Sequence, residues 1–78
     1  MHYSELNRDD YRKALHRFKA NNGLSLGSMA KVLGISKPTV SRIMTGERGI
    51  HEQFAFRFLV GYGWRAFHSV FPDIVIGP

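Results

Sequence analysis

The stretch Leu24–Gly46, LSLGSMAKVLGISKPTVSRIMTG, limits what this chain can fold into more than any other part of it. Ser25 stands where an N-cap is needed, and the helix it opens ends near Leu33 with Met29, Ala30 and Leu33 facing inward. Gly34 supplies a backbone that can reverse sharply, and Ile35 plugs the angle that follows. Ser36 opens another helix running to about Thr45, where Gly46 stops it. Pro38 is tolerated in that helix's first turn, and the residue before a proline avoids the α region. The helical start therefore falls at Lys37 or Pro38 if not at Ser36. Ala30 is small enough to let the two helices cross closely, and Val40 and Ile43, three apart, anchor the second on the first.

The flanking chain reads as helical packing around this pair. Residues 1–9 read as a short arm or a fraying helix start, with Leu6 and Tyr3 extending or covering the core, and Asp9 or Asp10 as the N-cap of a first helix. Tyr11, Ala14, Leu15 and Phe18 recur at helical spacing along it, and Asn21, Asn22 and Gly23 end it. After the loop Glu47–Ile50, a fourth helix starts near His51 with Phe54, Ala55, Phe58 and Leu59 inward. Trp64, Phe67, Val70 and Phe71 space a short fifth helix closed by Pro72. Ile74, Val75 and Ile76 form a brief β-prone tail. The fold class expected is all-α: one compact bundle of about five short helices over residues 1–78, with a short C-terminal strand at a dimer interface.

The chain carries a net charge of +5, and the distribution is uneven. Residues 11–48 hold eight lysines and arginines against Glu47 alone, a local +7. That concentration falls on the crossed pair and the helix before it, and favours a polyanionic partner over an ordinary solvated surface. The second helix of the pair is carried by the first and presented outward, as in a helix-turn-helix. It displays Lys37, Pro38, Thr39, Ser41, Arg42 and Thr45. Arg42 has the geometry to bond both acceptors of a guanine edge, and Lys37 to do so less rigidly. Ser41 and Thr39 suit bases or phosphates, and the Thr39 methyl or the Pro38 ring suits a thymine methyl. Lys37, Pro38, Thr39, Ser41 and Arg42 are thus the expected base readers of double-stranded DNA. Ser25, Ser36, Thr45 and Arg48 are the expected phosphate contacts.

The spacing of Ala30, Gly34, Val40 and Ile43, supported by Met29, Leu33, Ile35 and Ser36, resembles the phage repressor and Cro type of helix-turn-helix, the Xre-like family. The run SKPTVSRIMTGERGI also resembles the passage from recognition helix to loop in such domains. The resemblance covers the layout from Tyr11 to Phe71 and is specific over residues 24–50. It implies a five-helix domain that binds a near-palindromic operator as a homodimer, with base contacts at Lys37, Pro38, Ser41 and Arg42. Three residues depart from the pattern. Leu26 replaces a polar residue that touches phosphate, Gly27 weakens its helix by up to about 1 kcal/mol, and Pro38 cannot donate a hydrogen bond to a base.

Other chemistry finds little support. The chain has no cysteine, which excludes disulfides and thiolate metal sites and fits a reducing, cytoplasmic setting. His2, His16, His51 and His68 lack ligand spacing, no glycine-rich phosphate loop is present, and no nucleophile is placed beside a base. No metal, no cofactor, no enzymatic activity, no membrane span and no signal peptide are expected. Phe54 and Phe58 share a face and read as core. The surplus of aromatics after residue 50 suggests a dimer surface over residues 64–78, formed by Trp64, Phe67, Phe71, Ile74, Val75 and Ile76. The tail either pairs across a two-fold axis or packs on its own domain. The reading is a repressor or autorepressor of bacterial or phage type. Two alternatives stay open: an Xre-like antitoxin whose partner is a toxin protein, and an inhibitor of a host protein built on the same fold.

Overall fold

A computed structural model describes residues 6–74, and these form five helices: α1 (Asp9–Asn21), α2 (Leu26–Leu33), α3 (Lys37–Thr45), α4 (Glu52–Tyr62) and α5 (Trp64–Val70). No strand occurs among the described residues. The all-α, five-helix expectation therefore holds; of the expected C-terminal strand Ile74, Val75 and Ile76, Ile74 is in no strand and the other two lie outside the described residues.

The ends of the helices follow from local chemistry. The Ser25 hydroxyl accepts from the Ser28 amide at 3.0 Å, and the Ser28 hydroxyl accepts from the Ser25 amide at 3.1 Å, a reciprocal cap on α2. The Ser36 hydroxyl accepts from the Thr39 amide at 3.3 Å, so α3 begins at Lys37 and Pro38 sits in its first turn. At the start of α1 the expectation needs correction. The N-cap is Arg8, in extended backbone and with no side-chain cap; Asp9 and Asp10 lie inside the first turn, where carboxylates oppose the positive end of the helix dipole.

The core joins all five helices. Tyr11, Ala14 and Leu15 of α1, Met29, Ala30 and Leu33 of α2, and Val40, Ile43 and Met44 of α3 are buried. They meet Phe54, Ala55 and Phe58 of α4 and Phe67 and Val70 of α5. Phe58 lies at the centre of the ring packing, with centroids of Phe18, Tyr62 and Phe71 at 5.1, 5.0 and 6.1 Å. Leu6 is fully buried, and the Asn7 side-chain oxygen accepts from the Ile50 amide at 3.2 Å. Residues 6–8 are therefore fixed to the body and are not a free arm, while Tyr3 lies outside the described residues. At Gly61, α4 runs so close to α2 that a Cβ there would stand 2.7 Å from Val32 Cγ1 and 2.9 Å from the Val32 carbonyl oxygen.

A second correction concerns the C-terminal third. Phe67 and Phe71 have no exposed surface. Their rings pack on each other at 5.1 Å, and Phe71 also packs edge-on against Tyr11 at 5.1 Å. Because α5 folds back onto α1, the apolar stripe read as a dimer surface is consumed by the chain's own core. Trp64 remains half exposed, and Ile74 is half-buried against the core. Val75 and Ile76 lie outside the described residues.

Candidate nucleic-acid interface

The outward face of α3 follows from its buried one. With Val40, Ile43 and Met44 inward, a turn of about 100° per residue puts Pro38, Arg42 and Thr45 on the opposite side at i, i+4 and i+7. All three are exposed. Lys37 is exposed at the N-terminal end, and Ser41 and Thr39 are half-buried on the two flanks. The structure thus brings Lys37, Pro38, Ser41, Arg42 and Thr45 onto one surface. It sets Thr39 to the side: its hydroxyl is 2.7 Å from that of Ser36, so the two form one hydrogen-bonded pair. The Thr45 hydroxyl donates back to the Arg42 carbonyl at 3.1 Å, leaving its methyl for contact. Ser25 caps α2 and is not part of α3.

The charges sort into two groups. Arg8 bonds Asp10 and reaches Asp73 at 3.2 Å. That contact holds the Asp10 carboxyl below its ordinary range and pushes the Arg8 guanidinium above its own. Arg12 is structural as well: Nε donates to the Ile43 carbonyl at 2.9 Å, one NH2 donates to the Asn7 side chain at 2.6 Å, and Asp9 lies 3.5 Å away. His16 Nε2, protonated at that nitrogen, donates to the Met44 carbonyl at 2.7 Å. Two side chains of α1 therefore hold the last carbonyls of α3, where a cation also complements the helix dipole. Arg12 thus leaves the set of cations open to a partner. By contrast, Lys37, Arg42 and Arg48 are exposed and make no side-chain hydrogen bond or ion pair among the described residues. Three aspartates are drawn to Arg8 and Arg12, and the α3 surface keeps its positive charge.

Sequence reading missed a neighbouring cleft of about 310 Å³. It gathers Ser36 at the cap of α3, Thr39 of α3, Arg48 from the loop, His51 at the cap of α4, and Gln53 and Arg57 of α4. Arg57 donates to the Leu33 carbonyl at 3.2 Å and the Gly34 carbonyl at 3.4 Å, fastening α4 to the turn between α2 and α3. Nothing in local spacing joins Arg57 to that turn. The available signal was a lone arginine in a helix that carries no other charge after its first turn.

This geometry, a capped helix pair with an exposed, cation-bearing second helix, defines a DNA-binding domain of the helix-turn-helix class. Residues 11–64 match the family described as helix-turn-helix domain, and the chain belongs to that family. The match runs from α1 through α4. No curated protein and no solved structure matches the chain. Among the described residues, no helix is long and apolar enough to cross a membrane, and no group of three histidine, aspartate or glutamate side chains comes together to hold a metal.

Proposed function

We propose that this protein is a sequence-specific, double-stranded DNA-binding transcriptional regulator of the phage repressor and Cro type, working in the cytoplasm as a homodimer on a palindromic operator. The observation that carries the reading is the exposed line Pro38–Arg42–Thr45, with unpaired Lys37 and Arg48 beside it and the nearby aspartates engaged elsewhere. In this mechanism α3 enters the major groove, and Arg42 bonds the O6 and N7 acceptors of a guanine. Lys37 and Ser41 read or support neighbouring positions, and Pro38 and Thr45 offer apolar contact. Arg48, at the mouth of the cleft, clamps a phosphate, with Ser36 and Ser25 nearer the backbone. Occupation of the operator would then block transcription from an overlapping promoter.

The test begins with selection of random duplexes on the purified protein, followed by Arg42→Ala on the selected site. Losing one bidentate contact should cost roughly 1–3 kcal/mol of base discrimination while salt-sensitive, non-specific binding persists. Unchanged preference for the selected site in a gel-shift series would remove Arg42 from the reading position.

A further inference from the structure

Among the described residues, four large apolar side chains are exposed: Val32, Phe56, Val60 and Trp64. Three of them lie together. Phe56 and Val60, one turn apart on α4, are 62% and 69% exposed, and Val32 of α2 is 44% exposed. They line one furrow of about 460 Å³ between α2 and α4, together with Leu33, Gly34 and Arg57. The Arg57 guanidinium is already committed to the carbonyls of residues 33 and 34. This face therefore offers no free cation at its centre and is no extension of the phosphate-binding surface.

We propose that this ridge and furrow are where a second copy of the chain docks. The inference rests on the homodimer reading above and gives it a surface other than the C-terminal one expected from the sequence. Three observations favour a second copy as the occupant. An i, i+4 ridge lying beside a furrow is self-complementary: a two-fold axis sets each copy's Phe56–Val60 ridge into the other's furrow, the ridge-into-groove packing of paired helices. The area also fits. With about 150–250 Å² for a whole aromatic side chain, the three residues leave roughly 300 Å² of apolar surface, the low end of patches that mark interaction sites. That is enough for the centre of a small, reversible interface, below the roughly 800 Å² per partner of a standard one. Finally, α2 packs against both α3 and α4, so a copy seated on α4 leaves the outward face of α3 uncovered. Two weakly associated copies then gain affinity from sharing one duplex, through effective concentration.

Sedimentation of the whole protein without DNA tests this. The wild type should show a concentration-dependent monomer–dimer equilibrium that added salt leaves unchanged or strengthens. Duplex binding should weaken with salt, because it depends on phosphate contacts. Val60→Glu should weaken dimerisation by more than about tenfold, the effect of burying an unpaired charge. Its helical circular dichroism should be retained, and it should occupy one half-site where the wild type occupies two. Phe56→Ser is the second variant should Val60→Glu fold poorly. The cysteine-free chain allows a direct check: a mixture of Val60→Cys chains and Val32→Cys chains should be trapped as a mixed disulfide dimer on mild oxidation, and Trp64→Cys chains should not. A wild type that stays monomeric at millimolar concentration overturns the proposal. So does a folded Val60→Glu that dimerises like the wild type, or loss of dimer in Trp64→Ala in place of Val60→Glu. An intact dimer with no duplex affinity would instead overturn the DNA-binding reading and leave this one standing.

Discussion

The pairs α2–α3 and α4–α5 are built alike and finished differently. Each is two short helices meeting at a glycine of positive φ, Gly34 at 70° and Gly63 at 93°. In the first pair, both helices begin at a serine whose hydroxyl caps them. In the second, the N-cap residues His51 and Gly63 make no side-chain cap. The first pair buries aliphatic residues and the second chiefly phenylalanines, Phe54, Phe58 and Phe67. A serine cap contributes about 0.5–2 kcal/mol and fixes where a helix starts, which matters where side chains must meet a partner in register. Rings supply area with less demand on direction. The division suits a domain in which α2–α3 presents and α4–α5 supports, and three of the four exposed large apolar residues, Phe56, Val60 and Trp64, lie on the second pair, with Val32 alone on the first.

The largest expected difference between the pairs is at their joints. Gly63 has φ 93° and ψ 172°, a region only glycine occupies readily. Gly34, at φ 70° and ψ 31°, is in the left-handed helical region that asparagine also visits. Gly63→Ala should therefore cost about 1–3 kcal/mol, although nothing lies within 4 Å of the added Cβ. Gly34→Asn should cost less, about 1 kcal/mol, because asparagine adopts this backbone; the added Cβ stands 2.9 Å from Arg57 Nη1, and that guanidinium must shift while keeping its bonds to the carbonyls of residues 33 and 34. One kilocalorie corresponds to about 4–8 °C in Tm for a domain of this size, so thermal melts resolve the two. The reverse order would show the α2–α3 turn to be the less forgiving joint.

The next effect is smaller and of opposite sign. The Tyr62 hydroxyl at the end of α4 is buried without a hydrogen-bond partner among the described residues. Leaving such a group unpaired costs about 1–3 kcal/mol, and removing it at constant shape is neutral or stabilising. Tyr62→Phe should raise stability by up to about 1 kcal/mol. Burial also raises the Tyr62 pKa above its ordinary 10.0. A group with a raised folded pKa contributes stability below its unfolded pKa and loses it as pH rises through the folded one. The wild type should thus lose more stability than Tyr62→Phe above pH 10, measured by denaturant unfolding at pH 8 and 11. Equal losses would mean the hydroxyl finds water or a partner in solution.

The sequence made some of this plain and hid the rest, for a physical reason in each case. Ser25, Gly34, Ser36 and Gly46 act on backbone within a few residues, so the ends of α2 and α3 could be read locally. The exposure of Arg42 followed from the burial of Val40 and Ile43 on the same helix. The bonds of Arg12 to Ile43, 31 residues away, and of Asn7 to Ile50, 43 away, leave no periodic trace. Arg12 was accordingly counted in the local +7 when it holds the end of α3. Phe67 and Phe71 failed differently. Helical spacing identified a buried face but could not say whether the chain itself or a second copy covers it. Arg57 was overlooked because its partners are carbonyls, and these look the same in every sequence.

The smallest expected effect separates the two pairs by pH. Arg8 ties Asp10 at the start of α1 to Asp73 beyond α5 and lies 4.2 Å over the Tyr11 ring, which packs on Phe71. This ionic pin belongs to the α5 side of the molecule. The Arg8 contact holds the Asp10 pKa below its ordinary 3.8. The pin therefore contributes above that value, and the contribution is lost as pH falls through the folded pKa. The groups are exposed and solvent screens them, so the effect is slight. Asp10→Asn should flatten the fall of Tm between about pH 5 and pH 2 and leave neutral stability nearly unchanged. The helix pair α2–α3 has no acidic residue within its helices and offers acid nothing comparable to release. Amide exchange should thus show α5 loosening before α3 as pH is lowered. If the Val40 and Ile43 amides open first, the stabilities of the two pairs are not arranged as their caps imply, and the division between a presenting pair and a supporting pair fails.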